Sequence, residues 1–301
     1  MAALERRRRL EVVRLVPPAG MRLLRWRQSE LPRRARELDG LHSFVSAFPL
    51  LGPGPRVQTV HELPWRHGER ENADLAHRFW SELGPLCAAA VLTATEYSAR
   101  DLRARLLPGR RKVRVVPWGV AAPFTPGAAE RRAEIFCPGG ARAKKGLAAL
   151  IEGAARHPAR PALLATGAPT GELERFSARA RELGLWLVHC ASLDERELVE
   201  RYRGAWAVAL LSRSEGFGLP ILEAMACGTP VIVPQNSAQA EVAGAAGLRV
   251  DPQDPESVAA ALERARRERE ELGARGLERA AQFSWERTAG GIEELWRELL
   301  G

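Results

Sequence analysis

The chain has 301 residues, 46% of them hydrophobic, enough for a sizeable core and, as a prior, for two domains of about 150 residues each. Its formal charge is +8, but only Lys112, Lys144 and Lys145 are lysines, and the arginines are spread along the chain rather than interleaved with aromatics as in a nucleic-acid groove. No run approaches the ~20 apolar residues that span a bilayer. The basic opening "MAALERRRRLEVVRLVPPAG" is broken by charges and prolines and makes a poor signal peptide. Cys87, Cys137, Cys190 and Cys227 are scattered singly, without metal-ligand spacing. These features point to a reducing cytoplasm, with no metal and no nucleic-acid partner. The excess of positive charge gives a weak pull toward anionic lipid, so a peripheral association with the inner face of the membrane is a further expectation.

In chain order, "LEVVRLV" (Leu10 to Val16) has the composition of a strand, and "RVQTVHEL" (Arg56 to Leu63) reads as a strand running into a loop. "AAAVLTATEYSARDLRARL" predicts a strand then a helix, with Ser98 as N-cap and Leu102 and Leu106 on one face. "KVRVVPWGV" is a strand entering a Pro-Gly turn, and the proline-rich "VAAPFTPGAAE" is the best linker candidate. Beyond it strands and helices take turns. "AEIFCPGG", "PALLATG", "LWLVHC", "WAVALLS" and "PVIVP" are the strands, and "GLRVDP" precedes the last helix of the series. "KGLAALIEGAARHP", "ELERFSARARELGL", "DERELVERYRGA" and "DPESVAAALERARRERE" are helices between and after them. Strands that are apolar throughout, alternating with helices, predict a doubly wound parallel sheet covered on both faces. "FSWERTAGGIEELWRELL" closes the chain as a helix with Ile292, Leu295, Trp296 and Leu299 on one stripe.

The stretch "SEGFGLPILEAMACGTPVIVP" (Ser214 to Pro234) carries the chemistry. The helix begins near Leu219 and Pro220 and stops at Gly228, so Glu215 sits in the loop and Glu223 one turn into the helix. Gly216 and Gly218 let a ligand approach the backbone, and free N–H groups at a helix start favour phosphate. In open parallel sheets ligands bind at the carboxyl ends of strands. Two carboxylates would repel phosphate but accept hydrogen bonds from sugar and ribose hydroxyls. The combination suggests a nucleotide sugar.

"EGFGLPILEAMACGTPVI" resembles the E-x7-E motif of retaining glycosyltransferases of family 4, which have the two-domain GT-B fold. "AEVAGAAGLRVDPQDPESVAAAL", "FSWERTA", "PGGARAKKGLAALIEGA", "VQTVHELPW" and "VLTATEYSARDL…KVRVVPWGV" resemble it too, in family order from about Arg56 to Leu300. The resemblance implies an α/β fold of two Rossmann-like domains with parallel sheets and the donor site in the cleft between them. Residues 1–123 would be a shortened acceptor-side domain, 124–284 the nucleotide-sugar-binding domain, and 285–301 a helix crossing back to the first domain.

By the resemblance, Glu215 contacts the transferred sugar and Glu223 the ribose hydroxyls, while the amides of Gly216, Phe217, Gly218 and Leu219 hold the diphosphate or sugar. Gly139, Gly140, Arg142, Lys144 and Lys145 in "GGARAKKG" line the donor side, with Lys145 the best match to the diphosphate-binding lysine. Fixed cations neutralise a departing diphosphate without a metal. Many family members carry arginine where Gly140 stands, with Arg142 as the substitute here. His61 matches a histidine close to the transferred sugar, although Glu62 replaces the usual aspartate beside it. His42 lies in the acceptor-side region, where packing is the simpler reading and contact with an acceptor the alternative, and His67, His77, His157 and His189 show no ligand pairing.

The family's opening strand, glycine-rich loop and helix find no counterpart before Arg56, so the first domain is expected to lack its first βαβ portion, by fragment loss, start-site error, completion by a partner subunit, or as a compact variant. The function expected is transfer of a hexosyl unit from a nucleoside-diphosphate sugar to a glycan or lipid-linked hydroxyl, with retention and without cofactor. The alternatives are a non-catalytic or partner-dependent donor-binding subunit and, less favoured by the motifs, a nucleotide-sugar epimerase.

Overall fold

A computed structural model describes residues 3–4, 10–69, 75–106, 109–169 and 171–301. The chain divides into two compact units, Met1–Gly119 with Trp285–Gly301, and Val120–Ser284.

The first unit holds a parallel sheet of β1 (Leu41–Ser43), β2 (Arg56–Thr59), β3 (Ala90–Thr93) and β4 (Val113–Val115), paired in that order. Its longer helices among the described residues are α1 (Leu75–Cys87) and α2 (Glu96–Arg105), together with the chain's last helix, α10 (Trp285–Leu300). Because successive strand side chains alternate between faces, Val57, Ala90 and Leu92 pack on Ala289, Ile292, Leu295 and Trp296 of α10. Val91 and Val113 turn the other way, onto Trp80 of α1 and Ala99 and Leu102 of α2. The α10 stripe is buried as its spacing predicts, with Leu299 only partly covered.

Two expectations in this unit need correction, and one element has no sequence signal. "LEVVRLV" forms no strand: the described residues 11–18 have no regular structure, and Val13 and Val16 are exposed. Without a neighbouring ladder to satisfy its amides, an apolar run does not become a strand. The N-cap of α2 is Thr95, not Ser98: the Thr95 hydroxyl accepts from the Ser98 amide, which places Ser98 in the first turn. Residues 23–34 form a helical run with a π-turn at Trp26–Glu30, which the arginine-rich composition does not announce.

The second unit is a six-stranded parallel sheet. Its strands are β5 (Glu134–Cys137), β6 (Ala162–Thr166), β7 (Leu187–Cys190), β8 (Ala207–Ala209), β9 (Val231–Pro234) and β10 (Leu248–Val250), in spatial order 10-9-8-5-6-7. The helices are α3 (Leu147–Arg156), α4 (Gly171–Glu182), α5 (Glu195–Gly204), α6 (Leu219–Ala226), α7 (Ala238–Ala243), α8 (Pro255–Arg267) and α9 (Arg269–Ala280). One face of the sheet packs Ile135, Leu163 and Ile232 against Leu150 and Ile151 of α3 and Val258 and Leu262 of α8. Phe136 turns to the opposite face, 5.2 Å between ring centroids from Tyr202 of α5. The chain starts at β5 in the middle, winds out to β7, then returns to the far side of β5 as β8. The strand order therefore reverses between β5 and β8, where an open parallel sheet leaves a crevice at its carboxyl edge. Among the described residues no helix is long and apolar enough to cross a membrane.

Candidate active site

Two loops leave the carboxyl ends of β5 and β8 and meet across the switch point. The first runs from Pro138 to Gly146 and the second from Leu210 to Gly218. Their backbones are fastened together: the Arg213 amide donates to the Lys144 carbonyl at 3.2 Å. At Gly146 φ is +78°, and a Cβ there would lie 2.2 Å from the Leu211 carbonyl oxygen, so only glycine permits this approach. The first loop is tied in turn to the end of β6, where Thr166 Oγ1 accepts from the Gly139 amide at 3.0 Å.

This fastening brings Lys145 and Glu215 together from positions 70 apart in sequence. The Lys145 ammonium donates to a Glu215 carboxylate oxygen, and the two side chains are only 15% and 14% exposed. Partial burial weakens the solvent screening of this matched cation and anion. Lys144, its neighbour, is buried, while Arg142 is exposed. Gly140 has no space for the arginine common in the resembling family: a Cβ would meet Cys137 Sγ at 2.8 Å and its carbonyl at 3.0 Å. Burial pushes the Cys137 thiol up to about 12, so it is no nucleophile.

The helix α6 starts from Gly218, whose φ of +90° turns the chain into the first turn, with Pro220 placed where its missing N–H costs nothing. Gly216, Phe217 and Gly218 are all buried. The Phe217 ring packs edge-on against Phe283 at 5.9 Å, so its side chain is committed to the interior of the unit. The Gly218 and Leu219 amides donate to no acceptor among the described residues.

Glu223 is not a solvated helix carboxylate. Its Oε2 accepts from the Tyr202 hydroxyl at 2.7 Å. Burial raises the Glu223 carboxyl above the ordinary range, and the Tyr202 hydrogen bond opposes that rise. Tyr202 is fully buried and its hydroxyl is pushed well above its usual value by burial and by Glu223, so it stays a neutral donor. A carboxylate held on one side by a fixed donor keeps acceptor capacity for hydroxyls on the other. Tyr202 is a residue that sequence reasoning missed; its only signal is a place on the apolar stripe of α5 beside Val199.

His61 lies in the first unit, just past the end of β2. Its Nε2 donates to the Phe44 carbonyl at 2.9 Å, its ring stands edge-on to Trp118 at 5.0 Å, and its buried Nδ1 has no partner among the described residues. Burial holds its pKa below the ordinary histidine value, the hydrogen bond to Phe44 opposing, so the ring is neutral with an acceptor lone pair on Nδ1. His42 is packed: stacked on Phe44 at 3.9 Å, 3.0 Å from Thr59 Oγ1, and driven down to about 3 by burial. His67 binds Asp101 at 2.8 Å, and His157 binds Glu263 at 3.0 Å. His189 donates to the Gly167 carbonyl at 2.8 Å. Among the described residues no three His, Cys, Asp or Glu side chains form a metal-ligand set.

Residues 122–282 match the family described as Glycosyl transferases group 1. A D-inositol 3-phosphate glycosyltransferase from Corynebacterium jeikeium (strain K411) is 36% identical over 62% of this chain and 52% of its own length. An MMP alpha-(1->4)-mannosyltransferase from Mycolicibacterium hassiacum is 32% identical over 78% of this chain and 63% of its own. The chain thus spans little more than half the length of these relatives. Among solved structures, Anabaena HepE in complex with UDP superposes with a TM-score of 0.75 at 15% identity, over 90% of this chain and 82% of that one. This last likeness concerns the fold alone, two Rossmann-like units of the GT-B type. With the family match covering more than half of its residues, the chain belongs to the group 1 glycosyltransferases.

Proposed function

We propose that the protein transfers a hexosyl unit from a nucleoside-diphosphate sugar to a hydroxyl of a glycan or lipid-linked acceptor, with retention of anomeric configuration. The observation that carries this reading is the Lys145–Glu215 pair at the carboxyl ends of β5 and β8. On donor binding the pair separates into two roles. Lys145, with the Gly218 and Leu219 amides, takes the diphosphate, and Glu215 accepts from hydroxyls of the transferred sugar. Glu223, positioned by Tyr202, accepts from the ribose. His61 is assigned to the transferred sugar by the motif "VQTVHELPW" that it belongs to. Gly139, Gly140, Gly216 and Phe217 shape the walls, and Arg142 and Lys144 add positive charge.

In the transfer step the bond between the anomeric carbon and the β-phosphate oxygen breaks while the acceptor oxygen bonds the same carbon on the same face. The acceptor proton passes to the leaving diphosphate. Lys145 stabilises the charge that develops on the leaving oxygens, the place where electrostatic help is strongest. Glu215 serves as a hydrogen-bond acceptor and not as a nucleophile. The four cysteines are free thiols, two of them buried, which fits a reducing cytoplasm.

The test is incubation with UDP-, GDP- and ADP-sugars, with and without hydroxyl acceptors. Slow release of free diphosphate, faster with the right acceptor and without epimerised donor, is expected. Binding with no release under any acceptor would favour a donor-binding subunit completed by a partner. Epimerised donor would overturn the transfer reading.

A further inference from the structure

The first unit carries a face whose chemistry its fold does not explain. The run from Arg22 to Arg36 contains six arginines and a single acid, Glu30. Glu30 is buried and paired with Arg33 at 2.6 Å. The segment is fixed in place: Trp26 is buried, and Gln28 bonds the Phe48 carbonyl at 2.8 Å and the Leu50 amide at 3.0 Å. Arg22, Arg25, Arg33, Arg34 and Arg36 point to solvent. Beside them α1 exposes Leu75 (84%), Phe79 (50%) and Leu86 (61%), which helical spacing puts on one stripe. Leu24, 62% exposed, joins Leu75, Phe79 and Arg27 around an open apolar pocket of about 490 Å³. The acid on this side of α1, Glu82, is neutralised by Arg78 at 3.3 Å and Arg105 at 3.1 Å.

Exposed leucine and phenylalanine gathered on one face mark a binding surface rather than scattered surface residues. What binds is set by the rim. Long arginine side chains lie along apolar surface and carry their charge to its edge, which suits acyl chains beneath phosphate headgroups. Six arginines outweigh the paired Glu30 and the exposed Glu37 and Asp39, and this excess of positive charge at the rim is complementary to an anionic bilayer.

We propose that the surface formed by residues 22–36 and the outer stripe of α1 docks on an anionic lipid bilayer, with Leu24, Leu75 and Phe79 entering the acyl region and the arginines meeting the headgroups. Its residues belong to the first unit and those of the proposed donor site to the second, so nucleoside-diphosphate binding reports on that reading independently. The experiment is co-sedimentation of the full chain with vesicles of phosphatidylcholine alone and of phosphatidylcholine and phosphatidylglycerol in equal parts. Binding to the mixed vesicles only, weakening as salt rises, is expected. The double variant Leu75→Ser, Phe79→Ser and, separately, Arg22→Glu, Arg25→Glu should each lower the partition at least about tenfold. The arginine pair is fully surface-borne and keeps the test valid if the apolar variant misfolds. Equal binding to neutral vesicles, no binding to either, or partition unchanged in the arginine variant would overturn the proposal. So would self-association in solution that Phe79→Ser abolishes, because a second copy would then cover the face.

Discussion

In the second unit, the two loops of the candidate site are joined backbone to backbone. The Arg213 amide bonds the Lys144 carbonyl, and Gly146 lies against the Leu211 carbonyl. In the first unit the equivalent strand ends present histidines held through side chains: His42 to Thr59, and His61 to a carbonyl with its other nitrogen unpaired. The first unit also leaves large apolar side chains uncovered on α1. The contrast teaches that the candidate site of the second unit is organised by main-chain geometry, which substitution at most positions leaves intact. The candidate residues of the first unit are individual side chains that can be exchanged without refolding a loop.

The comparison can be broken at several points. Lys145→Ala and Glu215→Ala should have the largest effect, each lowering transfer by about two to three orders of magnitude while the melting temperature moves little. Steady-state rates beside thermal melts would show it. Trp296→Ala removes a buried ring from the α10 core and should cost the first unit about 3 kcal/mol. Nucleoside-diphosphate affinity should survive that change, since the candidate donor loops belong to the other unit. Gly146→Ala does the reverse: with φ of +78° and a carbonyl in the way, it should destabilise the second unit by roughly 2 kcal/mol and lower donor affinity with it.

Glu223→Gln sharpens the comparison through pH. Because burial raises the native Glu223 carboxyl above its unfolded value, its contribution to stability is fully present below the ordinary carboxylate range. That contribution is lost as pH rises through the raised native value. Glutamine should remove this fall, so the variant is the more stable protein at neutral pH yet binds donor about tenfold more weakly. Melting curves across the acid range and one titration check both signs. At the small end, Arg196→Ala breaks an exposed ion pair with Glu200 at 3.2 Å and should cost only ~0.3 kcal/mol.

Much of the second unit was readable in the sequence because its strands are short continuous apolar runs bounded by glycine and proline, as in "EIFCPGG" and "PVIVP". The helix α9, by contrast, escaped notice behind α8, because "RRERE" reads as one continuous charged helix although Glu268 interrupts it. Helix α1 was missed for a related reason: with Leu75, Phe79 and Leu86 facing outward, its apolar pattern does not separate one buried stripe from a polar face. Of the candidate site, Lys145 and Glu215 could be named from local motifs, but their pairing could not, since it depends on how β5 and β8 become neighbours. Tyr202 under Glu223 was invisible for the same reason, being a contact between helices rather than a spacing.

The most direct test of the donor-site account is titration of wild-type, Lys145→Ala and Glu215→Ala protein with a nucleoside diphosphate and with the matching nucleotide sugar. Lys145→Ala should lose affinity for both ligands, whereas Glu215→Ala should keep the diphosphate and lose only the increment that the sugar adds. Full diphosphate affinity in Lys145→Ala, or an undiminished sugar increment in Glu215→Ala, would contradict it.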